Sequence, residues 1–194
     1  HKYSPSALEQ ILLCPGSVKM QEGIQDEITE DNQEGTLLHK AVETSNFDGL
    51  NAEQIDLIEK CQSIIKEHFN TTNDSIYYEK ELILFDGLEI LTQGTADVVI
   101  IKKAENKAVL IDWKFGRIET TDTADNLQMA AYAAAIADTF DIKEVESIIF
   151  QPRIYRKDNY VFKNFSAIVN AIKTIILKAE KENELILHAS EKQY

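Results

Sequence analysis

The chain reads as an α/β protein, with a central mixed β-sheet flanked by helices and further helices at the N-terminus. Three observations predict this class. Residues 1–70 carry helical spacing and helix punctuation, residues 75–163 switch to short β-branched runs broken by turn signals, and residues 165–190 return to an amphipathic helical pattern. An alanine-rich helical stretch also interrupts the strand region, so the sheet must be covered by helices rather than by a second sheet. The 194 residues suit a single domain, 1–194, made of an N-terminal helical part (1–70), a sheet core (75–163) and a C-terminal helix (165–190).

The elements follow in order. Ser4-Pro5-Ser6 opens a helix that runs apolar through Leu8, Ile11 and Leu12, because Pro after Ser suits a first turn. Cys14-Pro15-Gly16-Ser17 ends it. The stretch 22–34 holds six acids and no bases and reads as a solvated loop or short helix. Gly35 punctuates it, and Thr36 is the candidate cap for a helix from about Thr36 to Asn46. A third helix, about Ala52 to Phe69, stacks Ile55, Ile58, Ile65 and Phe69 on one stripe. Ile76 to Phe85 reads as a strand, Asp86-Gly87 as a hairpin turn, and Leu88 to Leu91 as the returning strand. Val98–Ile101 and Ala108–Ile111 are apolar runs of the kind buried on both faces, joined across the polar tip 102–107. Asp122 to Phe140 is the alanine-rich helix, Glu146 to Phe150 a strand, Tyr155 to Phe162 an edge hairpin, and Phe165 to about Leu187 the long terminal helix.

Composition narrows the setting. Hydrophobic residues make up 44%, enough for a packed core. No apolar run approaches the roughly 20 residues of a membrane span, and the N-terminus lacks the basic-then-apolar order of a signal peptide. The expected compartment is the cytoplasm, with no membrane partner. The first residue is His1, so the chain is expected to be a trimmed piece. Two cysteines, Cys14 and Cys61, lie in helical patterns without a CxxC partner, which excludes a disulfide framework or a four-cysteine metal site and leaves buried free thiols. A net charge of −13 excludes loose charge-driven binding of nucleic acid over the whole surface and leaves room only for a local basic groove.

The chemistry concentrates in Gly94-Thr95-Ala96-Asp97-Val98-Val99-Ile100 and Val109-Leu110-Ile111-Asp112-Trp113-Lys114. Asp112 and Lys114 are two apart, so on a strand they face the same way. A hairpin between Asp97 and Asp112 can bring both carboxylates to one end of the sheet, where hard oxygen ligands suit Mg2+ or Mn2+. A lysine beside them can orient water, help deprotonate it, and offset charge on a phosphate. D-x-K is a common triplet, and alone it is more often a solvated edge. Here Asp112 follows four apolar residues and precedes Trp113, so it lies at the core boundary, where a carboxylate needs a partner or a metal. Gln128 and Tyr132 are i and i+4 on one helical face, as are His39 and Glu43.

Together these motifs resemble the RecB-like branch of the PD-(D/E)XK nucleases. The pattern is G-x-x-x-H in Gly35 to His39, G-x-x-D in Gly94 to Asp97, D-x-K in Asp112 to Lys114, and Q-x-x-x-Y in Gln128 to Tyr132. The resemblance spans about Ser4 to Phe162. Ser4-Pro5-Ser6, Cys14-Pro15-Gly16-Ser17, Phe115-Gly116 and Gln151-Pro152-Arg153 bring it nearest to a phage- and prophage-associated branch. It implies a restriction-endonuclease-like core and a metal held by His39, Asp97, Asp112 and the backbone carbonyl of Trp113. Asp97, Asp112 and Lys114 would be catalytic, with Gln128 and Tyr132 shaping the site. Glu43 either supports His39, touches a second metal or faces solvent, and Glu79 and Glu81 occupy positions where related enzymes sometimes place a carboxylate. Many relatives carry a C-terminal cysteine cluster, and this sequence to Tyr194 has none.

Arg117, directly after the D-x-K strand, and Arg153 are the candidate substrate contacts. Arg153, Arg156, Lys157 and Lys163, interleaved with Tyr155 and Tyr160, would serve phosphates and unpaired bases, or else form an ordinary charged hairpin. The expected function is an Mg2+- or Mn2+-dependent deoxyribonuclease hydrolysing phosphodiester bonds, of the phage exonuclease kind used in recombination or DNA-end processing. The expected partners are DNA and a single-strand annealing or recombination protein, in a bacterial or phage-infected host, with oligomerisation open. The alternatives are a non-catalytic module of the same fold that grips a DNA end or a partner, and an RNA-directed or structure-specific nuclease.

Overall fold

The computed structural model describes residues 2–24 and 29–191. Part of the acidic stretch, residues 25–28, lies outside them. A 3-10 turn, Pro5–Ala7, leads into α1 (Leu8–Leu13), and α2 (Ser17–Met20) is a single turn. Two longer helices follow, α3 (Glu30–Thr44) and α4 (Ala52–His68).

The start of α3 differs from the expected Thr36. The Thr29 hydroxyl accepts the Asn32 N–H at 3.2 Å and caps the helix there, and the helix continues through Gly35. A mid-helix glycine costs about 1 kcal/mol, which a good cap roughly matches, so Gly35 alone cannot stop the helix. Thr36 donates its hydroxyl back to the Asn32 carbonyl at 2.9 Å instead of capping. At α4, Asn51 and Gln54 form a reciprocal capping box with both bonds at 3.0 Å.

The sheet has five strands in the order β1 (Ser75–Asp86), β2 (Glu89–Lys102), β3 (Lys107–Trp113), β4 (Glu144–Gln151) and β5 (Arg156–Phe162). All neighbours are antiparallel except β3 and β4. That parallel pair needs a crossover, supplied by α5 (Leu127–Phe140), and α6 (Phe165–Glu191) closes the chain. The fold is thus the expected mixed α/β sheet flanked by helices.

Two boundaries change. The runs 89–91 and 98–101 belong to one 14-residue strand, β2, because β1 pairs along it from Ile101 to Glu89. The two-residue turn is Gly87-Leu88, with Gly87 at φ 62. Helix α5 begins at Leu127 rather than Asp122, capped by Asn126, whose side chain accepts the Met129 N–H at 3.0 Å. Residues 114–126 are a loop, because β5 captures its end: the Thr123 N–H donates to Asp158 at 2.6 Å and Arg156 pairs with Asp122.

Alternation along the strands sorts the core into two layers. Val98, Ile100, Val109, Ile111, Trp113, Ile148 and Phe150 pack against α3 and α4. Val99, Ile101, Ala108, Leu110, Val145 and Ile149 pack against α1, α5 and α6. The alanines of α5 let it lie close on the sheet, and nine of its residues, Met129 to Ala137, are buried. Cys61 is a buried thiol as expected, whereas Cys14 is exposed, since it ends α1 ahead of a proline instead of facing the core. Among the described residues, no helix is long and apolar enough to cross a membrane.

Candidate metal centre and cleft

The pairing of β2 with β3 runs from Lys102–Lys107 to Val98–Ile111 and then stops. Asp97 and Asp112 come next on either strand, so the two acids stand at the fork where the strands part. Asp97 fills that fork: its Oδ2 accepts the Trp113 N–H at 2.7 Å. Its Oδ1 lies 3.4 Å from His39 Nδ1, presented by α3. His39 also sets its ring edge-on to Phe115, with centroids 5.2 Å apart.

Glu79 joins this pair. In the β1–β2 ladder, Tyr78 faces Val98 and Lys80 faces Ala96, while Glu79 between them takes a left-handed φ of 45. Such a backbone costs about 1–3 kcal/mol in a non-glycine residue and is typical of functional positions. One ligand atom each from His39, Glu79 and Asp97 lies within 4.8 Å of the others, the spacing of a cation site. Glu81, also singled out from the sequence, bonds Gln93 on the exposed sheet instead. Glu43 pairs with Lys40 at 2.6 Å.

Asp112 is not among those three converging groups and is buried, 3% exposed. Gln128 Nε2 donates to its Oδ1 at 3.0 Å, and Lys114 Nζ stands 2.9 Å from its Oδ2 and 3.3 Å from Gln128 Oε1. The three side chains form a closed triangle. Apart from that ion pair, Oδ2 has no hydrogen bond of good geometry, so a buried carboxylate oxygen retains free acceptor capacity. Burial, then the Asp97 charge, push the Asp112 carboxyl above the usual range against the pull of Lys114. Burial works against the charged form of Lys114, but Asp112, Asp97 and Glu9 outweigh it and raise its pKa. The same balance holds at His39, where burial opposes the imidazolium and the Asp97 bond, with the charges of Asp97, Asp112 and Glu79, raises it. These mutual effects place Asp97, Asp112, Lys114 and His39 in one electrostatic unit.

Tyr132 donates its hydroxyl to the Thr95 carbonyl at 2.7 Å, one turn of α5 beyond Gln128. This explains Gly94. A Cβ there would stand 2.7 Å from the Tyr132 hydroxyl and 2.8 Å from Pro5 Cδ. The glycine lets α5 and the Pro5 turn close on β2, which holds Asp97 in place.

A cleft of about 1010 Å³ opens over the centre, lined by His39, Glu79, Trp113 and Lys114, with Gly35, Thr36 and Arg117 toward its mouth. Its far wall is the 114–126 loop, and Gln151, fully buried, pins that loop. Gln151 Oε1 accepts the Thr120 N–H at 3.1 Å and its Nε2 donates to the Ile118 carbonyl at 2.8 Å. In the sequence Gln151 shows only as a glutamine ending an apolar strand, which carries no role by itself.

The candidate substrate arginines stand differently. Arg117 is 73% exposed at the mouth, 3.6 Å from Glu53. Arg153 is 8% exposed and committed: Nε donates to the Phe115 carbonyl at 2.8 Å and Nη1 to Glu53 at 2.6 Å, while Nη2 binds Glu34. Arg156 is held by Asp122, Lys157 by Glu67 and Lys163 by Glu144. Each of the four basic side chains of the hairpin region is thus paired with an acid of the same chain.

Solved structures provide two comparisons. The crystal structure of a phage-related exonuclease from Haemophilus somnus 129PT is 13% identical over 98% of this chain and 96% of that one, with a TM-score of 0.46. The crystal structure of SSO0001 is 16% identical over 87% of this chain and 84% of that one, with a TM-score of 0.36. The family described as "Protein of unknown function (DUF2800)" matches residues 1–85 and 51–183, which together span most of the sequence, and the chain belongs to that family.

Proposed function

We propose that the chain is an Mg2+- or Mn2+-dependent deoxyribonuclease of the PD-(D/E)XK type. The observation that carries this reading is the convergence of His39, Glu79 and Asp97 within 4.8 Å beside a buried Asp112–Lys114–Gln128 triangle. The donor set fits a hard divalent cation: carboxylates and one imidazole, with a buried Asp112 oxygen that meets the Lys114 ammonium and has acceptor capacity left. His39, Asp97 and Asp112 would hold the ion with the Trp113 carbonyl, and Glu79 is added to the ligand set that the sequence suggested. The chemistry supplied by the bound ion is polarisation of the scissile phosphate and acidification of its water.

The remaining work falls to the protein. The Asp112 and Asp97 charges favour the ammonium form of Lys114, which suits it to offset charge building on the phosphate and to orient the attacking water. Gln128 fixes both Lys114 and Asp112 and so sets their aim. Arg117 meets the phosphate backbone at the mouth. As a biological role we place the chain in phage-type recombination or DNA-end processing, acting on DNA beside a single-strand annealing or recombination protein.

Purified chain incubated with linear DNA and Mn2+ or Mg2+ is expected to shorten it. Asp112→Ala and Lys114→Ala should each reduce the rate at least about a hundredfold, as loss of a charge-stabilising group does. No cleavage of single- or double-stranded ends by the parent chain would sink the reading. Failure to bind Mn2+ at millimolar concentration by calorimetry would leave only a non-catalytic fold.

A further inference from the structure

The cleft over the metal centre is walled on one side by α3 and on the other by the loop 114–126. Each wall contributes a glycine that the fold itself does not require. Gly87 is needed for its positive φ, and Gly94 for close packing. Gly35 and Gly116 have neither reason. Their φ angles lie outside the left-handed region, and a Cβ on either would meet nothing within 4 Å among the described residues. Gly35 also stands inside a helix, where alanine is the better residue. We propose that Gly35 and Gly116 form a slot through which one unpaired DNA strand reaches the metal centre, its sugar–phosphate backbone lying against bare main chain. This rests on the nuclease reading and names the form of its substrate.

The bonds around the two glycines locate the slot. Gly35 lies one turn before His39 on the same face of α3, so it overlooks the path to the metal ligands. The Arg153 guanidinium binds Glu34 on one wall and the Phe115 carbonyl on the other. The immediate neighbours of both glycines are therefore tied to one buried side chain, which holds the walls at one spacing. The edge-on contact of His39 with Phe115 joins the same two walls nearer the metal centre. Main chain without a Cβ allows an approach that a side chain would block.

The residues after Gly116 favour an unpaired strand. Arg117 is exposed where a phosphate would pass, and Ile118, 86% exposed, sets an apolar side chain on the same cleft. An exposed isoleucine suits the face of an unstacked base, which a single strand offers and a duplex keeps covered. The size of the cleft agrees. Its volume of about 1010 Å³ stands at the top of the small-ligand range, about 300–1,000 Å³, which leaves room for a few nucleotides and none for a double helix.

Fluorescence anisotropy on the full chain with Mn2+ tests this, using a labelled oligonucleotide whose phosphorothioate links resist hydrolysis, single-stranded or as a blunt duplex. The single strand is expected to bind at least tenfold more tightly than the duplex. Gly35→Leu and Gly116→Leu should each weaken single-strand binding at least tenfold, with Mn2+ affinity by calorimetry unchanged. Gly35→Ala should weaken strand binding while its melting temperature stays equal or rises, an outcome that damage to the fold would not give. The slot is overturned by equal or tighter binding of the duplex, by unchanged strand binding in both leucine variants, or by no DNA binding in the parent chain. If the leucine variants do not fold, the double variant Gly35→Ala, Gly116→Ala decides. A parent that binds the strand through both glycines yet cuts no unmodified DNA keeps the slot and loses the nuclease reading. A parent that cuts, with variants that bind as it does, keeps the nuclease reading and loses the slot.

Discussion

At the scale of single residues, the site depends on close fits and on charges that hold one another. Gly94 is the tightest fit, since any side chain there meets Tyr132 and Pro5. Gly94→Ala is expected to destabilise the fold by about 1–3 kcal/mol, as overpacking does, measured by urea denaturation. Adding Tyr132→Phe should recover part of that loss, because the two changes share one contact. The protonation of His39 and Asp112 gives a second expectation. Both pKa values are raised, His39 by the Asp97 bond and neighbouring acids against burial, Asp112 by burial and Asp97. A cation binds the deprotonated forms. Mn2+ affinity should therefore increase as pH rises through these elevated values, with protons released on binding. Titration calorimetry at pH 5.5 and pH 8 checks the sign, and equal affinity at both would remove His39 and Asp112 from the ligand set.

At the scale of elements, the loop 114–126 forms the far wall of the cleft and is stitched to the β4–β5 hairpin by Gln151, Arg153, Arg156 and Asp158. Gln151→Ala leaves the Thr120 N–H and the Ile118 carbonyl without their partner. It should cost roughly 1–3 kcal/mol and raise hydrogen exchange across residues 117–121. Unchanged exchange there would show that the loop holds itself. This element also shows what the sequence made legible. Period-two runs exposed the strands, and the short separation of Asp97 from Asp112 across one hairpin exposed the heart of the site. In the sequence Glu79 is only one of two acids, because the left-handed backbone that sets it apart leaves no periodic mark. The start of α5 is not legible in the sequence, because the pull of Asp158 and Arg156 on residues 122–123 comes from a strand some 35 positions away. Gly35 looks like a stop in the sequence, and the Thr29 cap offsets its cost in the fold.

At the scale of the molecule, a charge of −13 surrounds a cleft with one exposed arginine at its mouth. Few phosphates can be neutralised directly, so the dependence of DNA affinity on salt should be shallow. The slope of log K against log salt is expected near −1 to −2 with metal present, from about 0.9 per duplex phosphate contact. Arg117→Ala should lower its magnitude by about one, whereas Arg153→Ala should lower stability and leave the slope alone. Fluorescence anisotropy of labelled DNA separates the two.

The ion-paired β4–β5 hairpin has one more consequence, for how long a polynucleotide stays. Its four basic side chains are each occupied by an acid of the same chain, so little holds a strand between successive cuts. The isolated protomer would release its product after one or a few bonds, and many molecules in a digest would shorten together. Continuous travel along one strand would require enclosure by other subunits or a tether on a second protein.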